Sequence, residues 1–181
     1  DGDKSWNFAT EIPTQVDFAR SFKNVSGSAY FSAKWFMGKN FDVVRLLEEN
    51  QYKYPALPLA VPNLRHVIID KPQVLEYNKD SIKYNFTFKS PLNTKVRYMV
   101  VYGGEHISKI DVNDATKIIE KVTVKEVDGK ITFAIAAGKL NLYKACAVTF
   151  IDYYANESSP TAIDLKKPFK NYIPAQPNEN R

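Results

Sequence analysis

The stretch SIKYNFTFK, residues 81–89, decides the fold of this chain. Every second side chain in it is apolar, and these are Ile82, Tyr84, Phe86 and Phe88. A period of two is typical of a β-strand with one face in the core and the other in water. We therefore predict a strand over residues 81–89 that directs its aromatic side chains into a core.

The same period recurs along the rest of the chain. Further strands are predicted at residues 65–70, 95–102, 130–136, 144–154 and 161–165. Within the predicted strand at residues 95–102, we expect one face to carry Val96, Tyr98, Val100 and Tyr102. Turn signals such as Gly103-Gly104 and Asp128-Gly129 separate the strands. About seven short strands in roughly 100 residues predict an immunoglobulin-like or fibronectin type III-like β-sandwich over residues 63–167. Residues 114–122 fit a helical turn as well as a strand.

The first 52 residues follow a different pattern. Helical spacing begins after Thr10, a candidate N-cap, and predicts a helix to about Asn24 with Ile12, Val16, Ala19 and Phe22 on one face. A second helix is predicted at residues 42–50. Residues 27–32 lie between the helices and lack charges, which is typical of a parallel strand buried on both faces. The order helix, strand, helix predicts an α/β segment over residues 1–52.

Prolines separate these two parts. Pro55, Pro58 and Pro62 predict a stiff linker over residues 53–62, because proline prevents helix formation. After the sandwich, the polar and proline-containing residues 168–181 predict a flexible tail. The start Asp1-Gly-Asp is not a natural translation start, so we expect the chain to be cut from a longer protein.

Composition excludes several classes of function. The net charge is +5, but the lysines stand singly between apolar residues, so we expect no nucleic-acid partner. Cys146 is the only cysteine, which excludes a disulfide within the chain and predicts a small buried apolar residue. His66 and His106 are too isolated for a zinc site, and we expect no metal and no cofactor. No stretch is long and apolar enough to span a membrane.

Two motifs carry a resemblance to a known family. VSGSAYFSAKWF at residues 25–36 and FDVVRLLEENQYKYPALPLAVP at residues 41–62 resemble the C-terminal part of family 10 glycosyl hydrolase-like proteins of the Bacteroides type. In those proteins a TIM barrel is followed by a fibronectin type III-like domain. AVTFIDYYANESSP at residues 147–160 resembles the strand and turn that end such domains. The resemblance implies that residues 1–52 are the C-terminal remnant of a (β/α)8 barrel, with residues 27–32 as its last strand.

The resemblance also implies a function and a location. The chain would be the accessory or structural end of a bacterial glycoside hydrolase that is secreted, periplasmic or an outer-membrane lipoprotein. Glycoside hydrolysis uses two carboxylates at barrel strand ends, and residues 27–35 supply none, so we expect no catalytic residue here. Trp6, Lys34 and Trp35 lie where the barrel's upper loops would be, and we predict that they contact substrate, with packing of the tryptophans beneath the last helix as the alternative. The nearest acid, Asp42, is expected to interact with the helix dipole.

Partners follow from the same resemblance, and two other functions stay open. We expect the rest of the barrel as a partner, polysaccharide or peptidoglycan as the parent enzyme's ligand, and dimerisation through an unpaired strand edge in residues 1–52. In the first alternative the sandwich itself binds carbohydrate or cell wall through tyrosines such as Tyr153 and Tyr154. In the second it is a spacer without a ligand. The pair Glu105 and His106 is expected to be an exposed turn rather than an acid–base couple.

Overall fold

The computed structural model describes residues 8–25, 27–30, 36, 41–60 and 67–167. The chain divides into two compact units, Asp1–Ala56 and Leu57–Arg181. The boundary between them falls inside the proline-containing segment 53–62. The predicted tail, residues 168–181, lies outside the described residues.

The described residues of the first unit include two helices. α1 spans Glu11–Arg20 and α2 spans Phe41–Glu49. The helices meet through the buried side chains of Val16, Val43 and Leu47, against which Ala9, Ile12 and Phe36 pack. A polar contact also links the end of α2 to α1, in which Gln51 Nε2 donates a hydrogen bond to Asp17 Oδ2 at 2.8 Å. This small core follows from the amphipathic spacing of both helices.

The first unit differs from the sequence prediction in three places. Residues 27–30 are described and do not form a strand, whereas Phe31 and Ser32 of the predicted strand lie outside the described residues. A β-strand is stabilised by backbone hydrogen bonds to a neighbouring strand. Residues 27–30 have no such neighbour among the described residues and therefore do not form a strand. α1 ends at Arg20 and continues only as turns to Asn24. Thr10 precedes α1 but makes no side-chain capping hydrogen bond.

Eight strands make the second unit mainly β. They are β1 (Gln73–Lys79), β2 (Lys83–Lys89), β3 (Val96–Gly104), β4 (Ile118–Thr123), β5 (Glu126–Val127), β6 (Lys130–Ala136), β7 (Ala145–Asp152) and β8 (Thr161–Asp164). The first sheet is four-stranded with the order β1-β2-β6-β5, and the second is four-stranded with the order β4-β3-β7-β8. All pairs are antiparallel. A short helix, α3 (Ala137–Leu140), follows β6, and 3-10 turns span Ile107–Lys109 and Ala115–Lys117.

The two sheets pack face to face around an aromatic core. Phe86 and Phe88 of β2 are fully buried, as predicted from their alternation, and so is Phe150 of β7 on the opposite sheet. The Phe88 and Phe150 rings meet edge to face with centroids 5.9 Å apart. On the first sheet, the Phe133 ring of β6 stacks on Phe86 at 4.9 Å. Core contacts between the sheets therefore define a β-sandwich.

The outer face of the second sheet is buried at its centre. Every residue of β7 is buried, so this strand is covered on both faces. Val100 and Tyr102 of β3 form a cluster on this outer face with Ala147 and Ile151 of β7. The partly buried residues that pack against the cluster are Leu57, Tyr98, Ile110, Val112 and Ile118. A strand covered on both faces loses the period of two, which explains the nearly continuous apolar sequence of β7.

Three strand predictions need correction. Of the strand predicted at residues 65–70, residues 65 and 66 lie outside the described residues and residues 67–70 form no strand. The first strand among the described residues is β1, which was not predicted. Ile82 precedes β2 and is 76% exposed, because the strand begins only at Lys83.

The third correction concerns β3, and the structure also resolves the open assignment of residues 114–122. A bulge in β3 shifts the register between Val96 and Tyr98, so the four residues expected on one face do not share it. Val96 packs in the inter-sheet core, whereas Val100 and Tyr102 pack on the outer face. The ambiguous residues 114–122 form a 3-10 turn followed by β4.

Candidate functional site

The substrate-contacting residues predicted from the sequence, Trp6, Lys34 and Trp35, lie outside the described residues. Two aromatic side chains near them in sequence are described, Tyr30 and Phe36, and their rings meet edge to face at 5.0 Å. Burial, followed by the hydrogen bond with Tyr52, raises the pKa of Tyr30 to about 12. Tyr30 therefore stays a neutral hydroxyl at physiological pH, able to donate and accept hydrogen bonds.

Asp42 behaves as a surface residue of a helix. It lies in the first turn of α2, where a negative charge is favoured by the helix dipole. Its carboxylate is 3.7 Å from Arg45 NH2, and Arg45 NH1 donates to Glu49 at 2.9 Å. All three side chains are more than half exposed, so these pairs contribute little to stability.

Glu105 and His106 border a groove at one end of the sandwich. The groove has a volume of about 480 Å³ and is also lined by Lys109, Lys144 and Asp164. Lys144 Nζ lies 2.5 Å from Glu105 Oε2, and this ammonium holds the pKa of Glu105 below its usual range. A carboxylate paired in this way is a poor proton acceptor, which agrees with the prediction that the pair is an exposed turn.

A hydroxyl–carboxylate cluster lies on the outer face of the second sheet. Glu157 Oε1 accepts hydrogen bonds from Tyr102 Oη at 2.8 Å and from Thr149 Oγ1 at 2.6 Å. Burial and the neighbouring carboxylate raise the pKa of Tyr102. An isolated bridge between Ile151 and Glu157 brings the carboxylate to this position. The cluster satisfies two buried hydroxyls, so its arrangement supports stability rather than a reaction.

The loop that follows β7 presents two tyrosines. Asp152 is buried and organises the loop, because Oδ1 accepts from the amides of Tyr154 and Asn156 at 2.8 and 2.9 Å, and Oδ2 accepts from Asn156 Nδ2 at 3.0 Å. Ala155 completes the turn with a φ of 63°. Tyr153 is 63% exposed and Tyr154 is 39% exposed. The described loop therefore holds both rings at the surface, where the sequence analysis expected them.

Beside this loop lies a cluster of cations and tyrosines, formed by Arg97, Tyr98, Lys121 and Tyr153. The guanidinium carbon of Arg97 is 4.9 Å from the Tyr98 ring centroid and 5.7 Å from that of Tyr153. Lys121 Nζ is 5.5 Å from the Tyr98 ring. We call this set the cation–tyrosine cluster. Cations within about 6 Å of a ring are attracted to its face, and this attraction holds the side chains together.

Sequence reasoning identified Tyr153 but missed Arg97, Tyr98 and Lys121 as a group. These residues come from β3, β4 and the loop after β7, and the strand pairing brings them together. In sequence, Arg97 and Lys121 look like single cations on a solvated strand face. The only available signal was the consecutive pair Arg97-Tyr98, which is too common to indicate a site.

Cys146 is buried and unreactive. The side chain is fully buried in the inter-sheet core, as predicted, and burial raises the pKa of its thiol to about 12. Reactive cysteines need a thiolate at neutral pH, so this thiol serves in packing.

The described residues contain no group of three or more His, Cys, Asp or Glu side chains that could hold a metal ion. None of the helices in the described ranges has the length and hydrophobicity that a membrane crossing requires.

No protein-family model matches this chain. No curated protein matches it either. The function must therefore be argued from the fold and from the surface residues.

Proposed function

We propose that this chain is the C-terminal accessory region of a bacterial glycoside hydrolase and is not catalytic by itself. Residues 1–52 would be the end of a (β/α)8 barrel, and the sandwich would be a fibronectin type III-like domain that supports it. The parent enzyme would act on polysaccharide or peptidoglycan outside the cytoplasm. The fold agrees with this proposal but does not identify the function, because one fold serves many functions.

One observation carries the proposal, namely the unburied apolar surface of the first unit. Among its described residues, only Val16, Val43 and Leu47 form a buried hydrophobic cluster. Phe18 and Phe22, whose rings meet at 5.0 Å, are 67% and 49% exposed. A unit that exposes phenylalanine side chains in and just after a helix is expected to be covered by further elements, and the rest of a barrel would provide them.

The order of the strands supports the sandwich part of the proposal. In immunoglobulin-like domains one sheet contains strands A, B, E and D, and the other contains C, F and G, with C′ beside C in the larger variants. Lettering β1 to β8 in chain order as A, B, C, C′, D, E, F and G reproduces this arrangement in both sheets. Domains of this class commonly serve as rigid supports and as binding modules.

The sequence of the gene ahead of Asp1 tests the proposal directly. We expect alternating strands and helices, with carboxylates after at least two strands. An upstream region without this pattern would contradict the hydrolase assignment. Protein extended upstream provides a second test with the substitution Phe18→Ser, which should destabilise the extended protein by about 2 kcal/mol or more and the present chain by much less. The exposed Leu142→Ser in the sandwich is the matched control.

The alternative that the sandwich binds carbohydrate is favoured by a separate observation. Tyr153 and Tyr154 are exposed on an ordered loop, and exposed tyrosines provide flat surfaces and hydroxyls for sugar rings. Retention of the chain on an insoluble glycan, reduced by Tyr153→Ala, would support this function. If the unsubstituted chain and the Tyr153→Ala variant both pass through every glycan matrix without retention, only the supporting role of the sandwich would remain.

A further inference from the structure

The bulge in β3 gives the cation–tyrosine cluster its shape. In a regular strand, adjacent residues point to opposite faces of the sheet. Here Val96 pairs with Asp152 and Tyr98 pairs with Ile151, so Arg97 is an extra residue between two ladder positions. Bulges redirect side chains, and the Arg97 guanidinium lies 4.9 Å from the ring of the adjacent Tyr98. The side chains of the consecutive residues Arg97 and Tyr98 therefore lie on the same side of the sheet.

The guanidinium of Arg97 is not neutralised within the described chain. None of the ion pairs among the described residues includes Arg97. The acid paired across the bulge, Asp152, is buried and already accepts from the amides and side chain of its own loop. Arg97 is exposed and contacts two tyrosine rings, so most of its N–H donors remain available to a ligand.

A second cation strengthens the positive potential at this surface. Lys121 on β4 places its Nζ 5.5 Å from the same Tyr98 ring. The Val124 amide donates to the Arg97 carbonyl at 3.2 Å, which brings the end of β4, and Lys125 after it, beside the bulge. Clustered cations of this kind attract anions.

The chemistry of the cluster indicates the class of ligand. A guanidinium binds a carboxylate with two parallel hydrogen bonds, and an exposed tyrosine offers a ring face and a hydroxyl to a sugar. A nucleic acid would require a wider basic surface, whereas residues 67–167 hold fifteen Lys and Arg against twelve Asp and Glu. Carboxylate-bearing sugars match both parts of the cluster, the cations and the ring.

We propose that Arg97, Lys121 and Tyr153 form a binding site for acidic polysaccharide, with uronic-acid carboxylates paired to Arg97 and a sugar ring against Tyr153. This inference rests on the proposed association of the protein with glycans and assigns it a ligand class. Arg97 is the main determinant, Lys121 adds long-range attraction, and Tyr98 positions both cations.

Calorimetric titration of the full chain with polygalacturonate at low salt tests the proposal, with dextran as the neutral polymer. We expect polygalacturonate to bind and dextran not to bind. Arg97→Gln should weaken binding about tenfold, Arg97→Lys should weaken it less, and Tyr153→Ala should weaken it about fivefold. The matched control is Lys83→Gln, which removes one exposed charge from the other sheet and should change affinity less than about twofold.

Three results would overturn the proposal. The first is no binding of polygalacturonate by the unsubstituted chain. The second is equal weakening by Arg97→Gln and Lys83→Gln, which would show that only net charge matters. The third is tighter binding of oligothymidylate than of polygalacturonate with the same dependence on Arg97, which would assign the site to nucleic acid. None of these results bears on the presence of an upstream barrel, which the gene sequence tests separately.

Discussion

At the scale of single residues, burial decides the chemistry of the side chains that the sequence marks as reactive. Cys146 is the only thiol, yet it lies in the core with Val148 and Phe150 as neighbours in the same cluster. Arg97, by contrast, is a single cation in the sequence and becomes part of a site because a bulge turns it beside two tyrosines. The burial of Cys146 was therefore predicted from the sequence, whereas the surroundings of Arg97 depend on the tertiary structure.

The pH dependence of stability is a prediction at the residue scale. Burial raises the pKa of the Cys146 thiol to about 12, whereas the thiol of the unfolded chain ionises near pH 8.5 to 9. The contribution of the protonated Cys146 thiol to the free energy of unfolding is fully present below about pH 8.5. It is lost as pH rises toward the folded pKa, because the thiol of the unfolded chain releases its proton first. Because of this ionisation, we expect the free energy of unfolding to fall by about 1 kcal/mol between pH 9 and pH 10.

Urea unfolding of the chain and of Cys146→Ala at pH 7, 9 and 10 measures this contribution. The substitution leaves a small cavity that lowers stability equally at every pH, so only the slope with pH is informative. Tyr77, whose pKa burial also raises to about 12, contributes to both proteins and cancels in the comparison. Identical slopes for the two proteins would contradict the assignment to Cys146.

At the scale of elements, the local sequence of β3 predicts a strand, and close packing explains the two glycines at its end. Its apolar residues predict a strand, but the strand ends in Gly103-Gly104, which the sequence analysis took only as a turn signal. Both glycines belong to the ladder and pair with Cys146 and Ala145 of β7. The reason is space, because other side chains occupy the volume that a Cβ at these positions would need.

Substitution of Gly103 is a prediction at the element scale. A Cβ there would lie 2.5 Å from Tyr143 Cδ1 and 2.7 Å from Ile119 Cδ1, so Gly103→Ala should destabilise the chain by about 1–3 kcal/mol. The matched control is Gly138→Ala in α3, where nothing lies within 4 Å of the added carbon. The control should be neutral or stabilising by up to about 1 kcal/mol. Urea midpoints of the two variants measure the difference, and equal midpoints would show that the contacts at Gly103 relax freely.

At the scale of the whole molecule, the two units differ in how much apolar surface they bury. The sandwich has one continuous core that draws residues from both sheets, and a second cluster covers the outer face of β3 and β7. Among its described residues, the first unit has a cluster of three buried residues. Stability follows buried apolar area, so the two units should not share one level of protection.

Hydrogen exchange of the whole chain tests this difference. We expect amides of α1 and α2 to exchange at least about 100-fold faster than those of β3 and β7, which corresponds to a difference of about 2.7 kcal/mol in opening free energy. Exposed turn residues outside the strand ladders, such as Leu92 and Leu142, serve as internal references for fast exchange within the sandwich. Comparable protection of α1, α2 and the central strands would show that the chain opens as one cooperative unit.

The sequence by itself determined the β-sandwich architecture, because a period of two records which face of each strand is apolar. That signal identified the residues that enter the core from β2 and β6, namely Tyr84, Phe86, Phe88, Ile131 and Ile135. It failed for β1 and for the faces of β3, where a bulge interrupts the alternation.

Tertiary structure alone decided which distant residues meet. The partners of Glu157 are Tyr102 and Thr149, and the cation–tyrosine cluster joins β3, β4 and a loop. Residues 27–30 form no strand because a strand requires a neighbour to accept its hydrogen bonds, and a local pattern does not contain that neighbour. Periodicity is a local property and can be recognised in the sequence, whereas pairing and surface clusters depend on contacts between segments far apart in the chain.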